Sequence, residues 1–280
     1  MERLRAVRAI VDPRPLPGVF FVEVGLKGCA KGARCRKMIR IRLFEARERK
    51  GTSEVVADEG KQSKPKRRKV EVEAEPNRLE FESGLWGQGL TAIAGLDEVG
   101  RGCLFGDVVA AAVILPPGLI LEGINDSKQL SEKKRELLYD VIIEHAVAWS
   151  VARVDAATID RINIRQASRL AMKQAVEGLR IAPEHLLIDA ESVDLELPQT
   201  AIIKGDARSQ TIGAASILAK VTRDRLCKDT WDALYPGYGL AGNKGYGTKE
   251  HREGLLRLGP SPMHRMSFLE GILAEQQVLF

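Results

Sequence analysis

The hydrophobic and polar positions of the chain predict two unlike parts, and the larger part begins near residue 91. There, apolar runs of strand length alternate with longer segments in which apolar residues recur at helical spacing. Thr91–Leu96 and Val108–Leu115 are short, apolar and rich in β-branched residues, which predicts two buried strands joined as a hairpin. Further apolar runs predict three more strands, at Ala146–Val154, Leu186–Asp189 and Ala201–Lys204.

The segments between and after these runs follow the helical period. Ser131 stands where its hydroxyl could accept a hydrogen bond from the first turn of a helix. Alternating strands and helices predict a mixed α/β layer fold. The predicted helices are Ser131–His145, Asn163–Leu179, Ser209–Leu234, Lys249–Leu258 and Ser267–Gln277, and Pro236–Gly247 is predicted to be a glycine-rich loop.

The first 84 residues are a different kind of chain. Phe20–Val24 and Met38–Phe44 resemble strands and are separated by a turn with glycine and lysine, which predicts a small β-hairpin within residues 1–45. Residues 46–84 are polar and charged and have little capacity to bury a core, which predicts a flexible linker. The remaining residues, 85–280, are long enough for one large domain.

Charge is distributed unevenly between these two parts. Residues 1–84, the N-terminal extension, hold 21 Lys and Arg and 13 Asp and Glu. Residues 85–280 hold 22 Lys and Arg and 25 Asp and Glu, so the net charge of +5 comes from the extension. The densest basic cluster is Lys64–Val70. Such a segment favours nonspecific, salt-sensitive binding to nucleic-acid phosphates, and a solvated charge run without a partner remains the alternative.

Composition excludes several classes of protein. No apolar run reaches the length of about 18 residues that a membrane span needs, and the N-terminus lacks the apolar core of a signal peptide. The four cysteines form no Cys-x-x-Cys pair, which argues against a zinc ribbon or a disulfide framework. We therefore expect a cytoplasmic protein, and we expect it to be a monomer.

Candidate chemistry is concentrated in the sequence GLDEVGRG, residues 95–102. Asp97 and Glu98 are adjacent acids at the end of a predicted strand, where side chains alternate between faces. For both to reach one ion cluster, we expect the chain to leave the strand there, into the Gly100–Arg101–Gly102 turn. Arg101 would add a positive charge that suits a phosphate. A solvated turn between two strands remains the alternative for these eight residues alone.

Two further acids follow predicted strands. Asp189 ends one apolar run, and Asp206 follows another. A group of carboxylates without histidine or cysteine favours Mg²⁺ or Mn²⁺, which prefer oxygen ligands, over zinc. Two such ions can stabilise the attacking and leaving oxygens of a phosphoryl displacement. The sequence therefore predicts an enzyme of phosphoryl transfer with a two-metal-ion mechanism.

These residues carry a resemblance to a known family, because residues 85–280 are similar to bacterial ribonuclease HII. The resemblance rests on the order, spacing and length of six segments. They are GLDEVGRGCLFGDVVAAAV from Gly95, NDSKQL from Asn125, LLIDA ending at Ala190, AIIKGDARSQTIGAASILAKVTRDR from Ala201, YPGYGLAGNKGYGTKEH from Tyr235 and GPSPMHRMSF from Gly259.

The resemblance implies an RNase H-like fold, with a mixed sheet flanked by helices and a C-terminal helical part. It implies a metal-dependent endoribonuclease that acts on RNA–DNA hybrids and on single ribonucleotides embedded in duplex DNA, as in ribonucleotide excision repair. Cleavage would occur on the 5′ side of the ribonucleotide and leave a 3′-hydroxyl and a 5′-phosphate. The implied cofactor is Mn²⁺ or Mg²⁺.

The resemblance also assigns roles to residues. It implies that the divalent ions are held by Asp97, Glu98, Asp189 and Asp206. Gly100, Arg101 and Gly102 match the turn that reads the ribose 2′-hydroxyl, and Tyr246 matches the tyrosine that stacks on the sugar. Lys128 and Arg101 would assist with the phosphate backbone.

Two alternatives stay open at the level of sequence. One is a ribonuclease HIII-like enzyme that cleaves longer hybrids without acting at single ribonucleotides. Arg101 favours the HII type over this related type. The other is an inactive adaptor that only binds nucleic acid, against which the four intact carboxylates argue. One departure from the family pattern is Ala190, which stands where many relatives have glycine after the third acid.

Overall fold

The computed structural model describes residues 78–124 and 130–277, and the backbone of two strands within residues 19–43. Residues 46–77 of the predicted linker, the basic cluster Lys64–Val70 and Lys128 lie outside the described residues. The end of the predicted linker instead begins the helix Glu80–Trp86, in which Glu82 is buried, so the linker prediction is wrong for these residues. The two early strands pair antiparallel, at the place predicted for the hairpin. The division of the chain into domains stays a prediction.

The described strands form two sheets. In chain order they are β1 (Val19–Gly25), β2 (Arg36–Leu43), β3 (Ile93–Val99), β4 (Val108–Ile114), β5 (Leu119–Leu121), β6 (Ala148–Val154), β7 (His185–Asp189) and β8 (Gln199–Ile202). Five strands form a mixed sheet in the order β6-β4-β3-β7-β8. Within it β3 runs antiparallel to β4 and parallel to β7, and β8 is parallel to β7. The other three form an antiparallel sheet in the order β1-β2-β5.

The described helices follow or flank the mixed sheet. They are α1 (Glu80–Trp86), α2 (Glu132–His145), α3 (Ala156–Ile162), α4 (Ile164–Glu177), α5 (Gly205–Arg208), α6 (Gln210–Arg225), α7 (Asp232–Leu234), α8 (Leu240–Asn243), α9 (Lys249–Leu258) and α10 (Met266–Gln277). This architecture confirms the predicted α/β fold with a helical C-terminal part. None of the helices in the described ranges has both the length and the apolar character needed to cross a membrane.

Most predicted elements are confirmed, and the differences are local. The Ser131 hydroxyl caps α2 by accepting a hydrogen bond from the Lys134 backbone N–H, as predicted. The predicted helix Ser209–Leu234 is instead α6, a π-helical segment Leu226–Trp231 and α7. The predicted loop Pro236–Gly247 contains the short helix α8.

The core is built around β4, which is buried along its whole length. Val109, Ala111 and Val113 belong to a cluster with the apolar residues of α2 and α6. The alternate residues, Val108, Ala110, Ala112 and Ile114, belong to a second cluster with α4 on the opposite face. Because side chains alternate across a strand, covering both faces requires a continuous apolar run rather than an alternating one. This is the pattern that the sequence shows at β4.

Helix α6 lies very close to β3, and glycine makes the approach possible. A Cβ atom on Gly95 would lie 2.5 Å from both the Ile212 backbone nitrogen and the Thr211 carbonyl oxygen. A side chain at residue 95 would therefore collide with the backbone of the first turn of α6. The close contact fixes α6 across β3 just before the acidic pair at the strand's end.

Helix α1 is tied to the start of α6 by a buried carboxylate. Glu82 is only 1% exposed, and its Oε1 atom accepts hydrogen bonds from the Ser209 hydroxyl at 2.7 Å and from the Thr211 backbone N–H at 3.0 Å. A carboxylate at a helix N-terminus satisfies free backbone N–H groups and interacts favourably with the helix dipole. Glu82 thus holds the segment that follows Asp206.

Replacing Glu82 by alanine should lower the free energy of unfolding by about 3 kcal/mol, because buried donors of Ser209 and Thr211 would lose their acceptor. Urea denaturation followed by circular dichroism measures the change. Glu80→Ala is the matched control, since Glu80 lies exposed in the same helix, and it should shift stability by no more than about 0.5 kcal/mol. Equal shifts in both variants would contradict the capping role.

Candidate active site

The acidic pair lies on β3, and the strand continues further than predicted. Glu98 pairs with Ala110 of β4, and Val99 pairs with Val109. The expectation that the chain leaves the strand at Asp97 and Glu98 is therefore wrong, because backbone pairing with β4 holds it extended through Val99. The chain turns only afterwards, at Gly100.

Asp97 is buried beneath α6. Its Oδ1 atom accepts a hydrogen bond from the Glu98 backbone N–H at 2.7 Å, and the Ser216 hydroxyl also donates to its carboxylate. Burial, together with repulsion from Glu98 and Asp189, raises the pKa of Asp97 well above its usual value. Asp97, Glu98 and Asp189 therefore lie close enough to repel one another when they are charged.

Glu98 is held by an arginine of the following turn. Arg101 Nη1 donates to Glu98 Oε1 at 3.0 Å, and 43% of the Arg101 side chain is exposed. Burial raises the pKa of Glu98, and the Arg101 guanidinium opposes this effect. The other oxygen, Oε2, is buried and has no hydrogen-bond partner among the described residues. It is thus available to a further ligand.

Asp189 is the last residue of β7, next to β3 in the sheet. Because Leu96 pairs with Ile188 in parallel register, the next residues on the two strands are Asp97 and Asp189. Asp189 Oδ1 accepts a hydrogen bond from the Gly205 backbone N–H at 2.6 Å. The following residue, Ala190, has a left-handed backbone (φ +50°), a conformation that favours glycine.

Asp206 follows a strand, as predicted, although the strand ends earlier than predicted. Strand β8 stops at Ile202, and Asp206 lies buried in the short helix α5. It follows Gly205, whose N–H binds Asp189, so α5 is the element that connects these two acids. Left-handed backbone at Lys204 (φ +55°) makes the sharp turn from β8 into α5.

The glycine turn packs directly on a buried arginine. Gly100 has a φ of +94°, and a Cβ atom there would collide with the Arg223 side chain. A larger residue would therefore be both strained and obstructed. The side chain of Arg101 leaves this turn toward Glu98, while its backbone carbonyl accepts a hydrogen bond from Arg265 at 3.0 Å.

Tyr246 lies beside this turn. Cys103 and Tyr246 form an isolated antiparallel backbone bridge, and a Cβ atom on Gly102 would lie 3.9 Å from the Tyr246 ring. The tyrosine is 40% exposed. Burial, with a contribution from the Cys103 thiol, raises the pKa of Tyr246 to about 12, so the hydroxyl stays protonated at neutral pH. The structure thus brings together the predicted turn and the predicted sugar-stacking residue.

Two fully buried arginines, Arg223 and Arg265, hold the turn and the Tyr246 loop together, and sequence reasoning missed both. Arg223 donates to the carbonyls of Phe105, Asp107 and Lys244 at 2.7–3.0 Å. Arg265 donates to the carbonyls of Arg101 and Gly106. These bonds satisfy the backbone of the turn that follows β3.

Two histidines of the C-terminal part, His251 and His264, are buried, as is Arg265. His251 and His264 pack against the Phe105 ring in the core of the C-terminal part. Charged and polar residues are usually exposed, so no signal in a single sequence marks these exceptions.

Ser216 is a hydrogen-bond partner of Asp97. The α6 segment from Gly213 to Ser216 is buried. Within it, the Ser216 hydroxyl donates to the Asp97 carboxylate. Its position on the α6 face that covers β3 is the signal that identifies it, and that signal requires the fold.

The donor set fits a hard divalent cation. The four predicted ligands offer only carboxylate oxygens, which Mg²⁺ and Mn²⁺ prefer. The partnerless Oε2 atom of Glu98 and the raised pKa of Asp97 both indicate negative charge that a cation would compensate. Within the described ranges, no three histidine, cysteine or acidic side chains are grouped so that they could hold an ion as they stand. We therefore expect binding to include a rearrangement, in which Glu98 turns away from Arg101.

Comparison with known proteins identifies the family. The ribonuclease HII family matches residues 94–270. Ribonuclease HII of Alkaliphilus metalliredigens is 60% identical over 203 residues, which cover 70% of this chain and 99% of that protein. Ribonuclease HII of Ligilactobacillus salivarius is 52% identical over 222 residues, which cover 79% of this chain and 86% of that protein.

A solved structure supports the same assignment. The crystal structure of ribonuclease H2 from Pyrococcus horikoshii OT3 matches with a TM-score of 0.54 at 27% identity, over 66% of this chain and 98% of that chain. This match confirms the RNase H-like fold that the resemblance implied. The chain belongs to the ribonuclease HII family, whose members are divalent-metal-dependent endoribonucleases that cleave the RNA of RNA–DNA hybrids.

Proposed function

We propose that this protein cleaves on the 5′ side of a ribonucleotide, both in RNA–DNA hybrids and at single ribonucleotides embedded in duplex DNA. The products would carry a 3′-hydroxyl and a 5′-phosphate. The observation that supports the proposal most is the contact between the glycine turn and Tyr246, beside the carboxylates of β3 and β7. A sugar held at that contact would place its phosphate next to the acidic group.

In this proposal Asp97, Glu98, Asp189 and Asp206 hold the divalent ions, which are Mn²⁺ or Mg²⁺. When bound, two such ions would stabilise the attacking and leaving oxygens of the phosphodiester. The protein's contribution is to fix the ligands. The Ser216 hydroxyl orients Asp97, and the Gly205 N–H orients Asp189. Hydrogen bonds of this kind keep carboxylate ligands in place.

Sugar selection falls to backbone groups and one aromatic ring. Gly100 and Gly102 leave the turn without side chains, so its backbone groups could reach a ribose 2′-hydroxyl, which is what distinguishes RNA from DNA. The half-exposed Tyr246 ring would stack on the neighbouring sugar. The exposed Arg101 guanidinium, with Lys128, would contact phosphates, for which its planar donors are suited.

We further propose that the protein acts as a monomer in the cytoplasm. We also propose that its basic extension strengthens its binding to nucleic acid beyond what residues 85–280 provide. The extension carries the excess of positive charge, whereas residues 85–280 are slightly acidic in sum. Contacts with phosphates release counterions, so the added affinity should fall steeply as salt concentration rises.

The test is cleavage of an end-labelled DNA duplex that carries one internal ribonucleotide, with Mg²⁺, with Mn²⁺ and with chelator. We expect a metal-dependent cut 5′ of the ribonucleotide and none with chelator. Tyr246→Ala should lower kcat/KM for this duplex by about 10- to 100-fold, the range expected for loss of one stacking contact. Trp149→Ala is the control, because Trp149 is similarly exposed (39%) but lies on strand β6.

Two other results would redirect the proposal. Cutting of a long hybrid without cutting at the single ribonucleotide would favour the ribonuclease HIII-like alternative. Binding without cutting of either substrate would favour the adaptor.

Equal losses in the Tyr246 and Trp149 variants would show that the tyrosine has no specific role.

A further inference from the structure

Two buried histidines meet where two segments of the C-terminal part contact the segment that follows the glycine turn. His251 lies in α9 and is fully buried, and His264 lies in the segment before α10 and is 2% exposed. Their Nε2 atoms are 3.1 Å apart, which is hydrogen-bond distance. Phe105, which follows the glycine turn, is the third neighbour, because it forms an isolated backbone bridge with His264.

The groups at the two ends of this pair determine where the protons lie. At one end, the Ser261 backbone N–H, which can only donate, gives a hydrogen bond to His264 Nδ1 at 2.9 Å, and the Ser261 hydroxyl, which can donate or accept, lies at the same distance from this nitrogen. At the other end, His251 Nδ1 is 2.9 Å from the Tyr246 carbonyl oxygen, which can only accept. His264 Nδ1 must therefore lack a proton, and His251 Nδ1 must carry one.

Only one arrangement of protons satisfies all three contacts. Neutral His264 carries its proton on Nε2 and donates it to His251 Nε2. His251 accepts there and donates from Nδ1 to the Tyr246 carbonyl. A second proton on either ring would place two donors face to face, at Ser261 or between the rings. The chain of hydrogen bonds therefore needs both histidines neutral and in opposite tautomers.

The surroundings keep the pair neutral. Burial and the neighbouring His251 lower the pKa of His264 to about 4, and burial also lowers the pKa of His251. The aromatic rings of Phe105 and Tyr238 pack against the pair, and burial raises the pKa of Tyr238, so that it stays uncharged as well. From α9, the Glu250 carboxylate acts in the opposite direction on His251.

One end of the histidine pair is hydrogen-bonded to Tyr246, the residue that is proposed to select the sugar. We propose that His251 and His264 are positioning residues, which hold Tyr246 at the glycine turn through the Tyr246 carbonyl and so tune the selection of a single ribonucleotide. The proposal rests on the role of Tyr246 given above. It also explains why a polar pair lies in an otherwise apolar and aromatic cluster, where unpaired polar groups are costly.

The direct test is the tautomeric state, measured by long-range ¹H–¹⁵N correlation spectra of the whole protein labelled with ¹⁵N-histidine. The chain has four histidines, and single variants assign them. At pH 7 we expect His251 to be protonated on Nδ1 only and His264 on Nε2 only, and His264 should take up a second proton only near its lowered pKa of about 4. The opposite tautomers, or a doubly protonated ring at pH 7, would overturn the proposal.

The functional test compares two substrates, a duplex with a single ribonucleotide and a continuous RNA–DNA hybrid. The ratio of their kcat/KM values is the selectivity. His251→Phe should lower this ratio about 3- to 10-fold in the same direction as Tyr246→Ala, and the double variant should lower it no further than Tyr246→Ala alone. His251→Asn should restore most of the ratio, because its amide can donate from near the Nδ1 position. His145→Phe is the control on α2.

The outcomes separate the two proposals. If Tyr246→Ala leaves the selectivity unchanged, the proposed role of Tyr246 fails, and the positioning role fails with it. If Tyr246→Ala changes the selectivity but His251→Phe lowers both kcat/KM values equally, only the positioning role is overturned. Additive effects in the double variant would also overturn it.

Discussion

Asp97→Asn should abolish cleavage and at the same time stabilise the metal-free protein. We expect kcat/KM to fall by at least about 1,000-fold, since the variant loses a charged group that we propose to be a ligand of the ions. We expect the free energy of unfolding without metal to rise by about 1–2 kcal/mol, because a buried carboxylate crowded by Glu98 and Asp189 is replaced by a neutral amide. Activity assays and thermal denaturation in chelator measure the two effects.

The pH dependence of this stabilisation follows from the raised pKa of Asp97. Because the folded state binds the proton more tightly than the unfolded state, the charged carboxylate destabilises wild type fully only above its folded-state pKa. As the pH falls through that pKa, wild-type Asp97 becomes neutral. The stability advantage of Asp97→Asn should therefore be largest at pH 8 and should shrink in acid.

Bound metal should make wild type more stable than Asp97→Asn, the reverse of their order without metal. A ligand that binds only the folded state raises the free energy of unfolding. Above the dissociation constant, this gain grows with the logarithm of the ligand concentration. Saturating Mg²⁺ or Mn²⁺ should therefore raise the melting temperature of wild type much more than that of Asp97→Asn. Asp194→Asn, at an exposed carboxylate, is the control and should behave as wild type. An equal response of wild type and Asp97→Asn would contradict the role of Asp97 as a ligand.

Gly95→Ala should prevent stable folding or lower the free energy of unfolding by about 3 kcal/mol or more. The added methyl group would collide with the backbone of Thr211 and Ile212, and backbone atoms cannot move aside as a flexible side chain can. Helix α6 would have to shift away from β3, which would also move Ser216 from Asp97. Urea denaturation and the cleavage assay measure the two consequences.

Gly84→Ala is the matched substitution for this comparison. Gly84 lies in α1, and a Cβ atom there would meet nothing within 4 Å. Alanine should stabilise the helix by about 0.5–1 kcal/mol, because glycine loses more backbone entropy on folding. If both glycine variants changed stability by the same amount, the close approach of α6 to β3 would not be the cause.

The parts of the site that sequence predicted are those that depend on local pattern. Apolar runs identified β3, β4 and β7, and the acids at or just after strand ends followed from them. The opposite-face argument for Asp97 and Glu98 was sound, but the inference that the strand stops there was wrong, because pairing with β4 continues through Val99. The hairpin could be predicted from the sequence, whereas the length and register of its pairing could not.

The supporting residues could not be predicted for a different reason. Arg223, Arg265, His251 and His264 are polar residues of types that usually face solvent, yet all four are buried. The arginines bind backbone carbonyls far away in the sequence, and the histidines bind each other and backbone groups of neighbouring turns. Only the fold shows that these groups would otherwise be unsatisfied, so only the fold assigns the residues a role.

The neighbours of β3 in the sheet have a consequence for the order of folding. Strand β3 pairs with β4, which follows it closely, and with β7, where Ile93 meets His185. Local pairings form quickly, whereas distant ones must first overcome the entropy of closing a long loop. During synthesis, Asp97 and Glu98 therefore emerge long before Asp189 and Asp206 can join them. The nascent chain should remain without nuclease activity until nearly all of its catalytic part has left the ribosome.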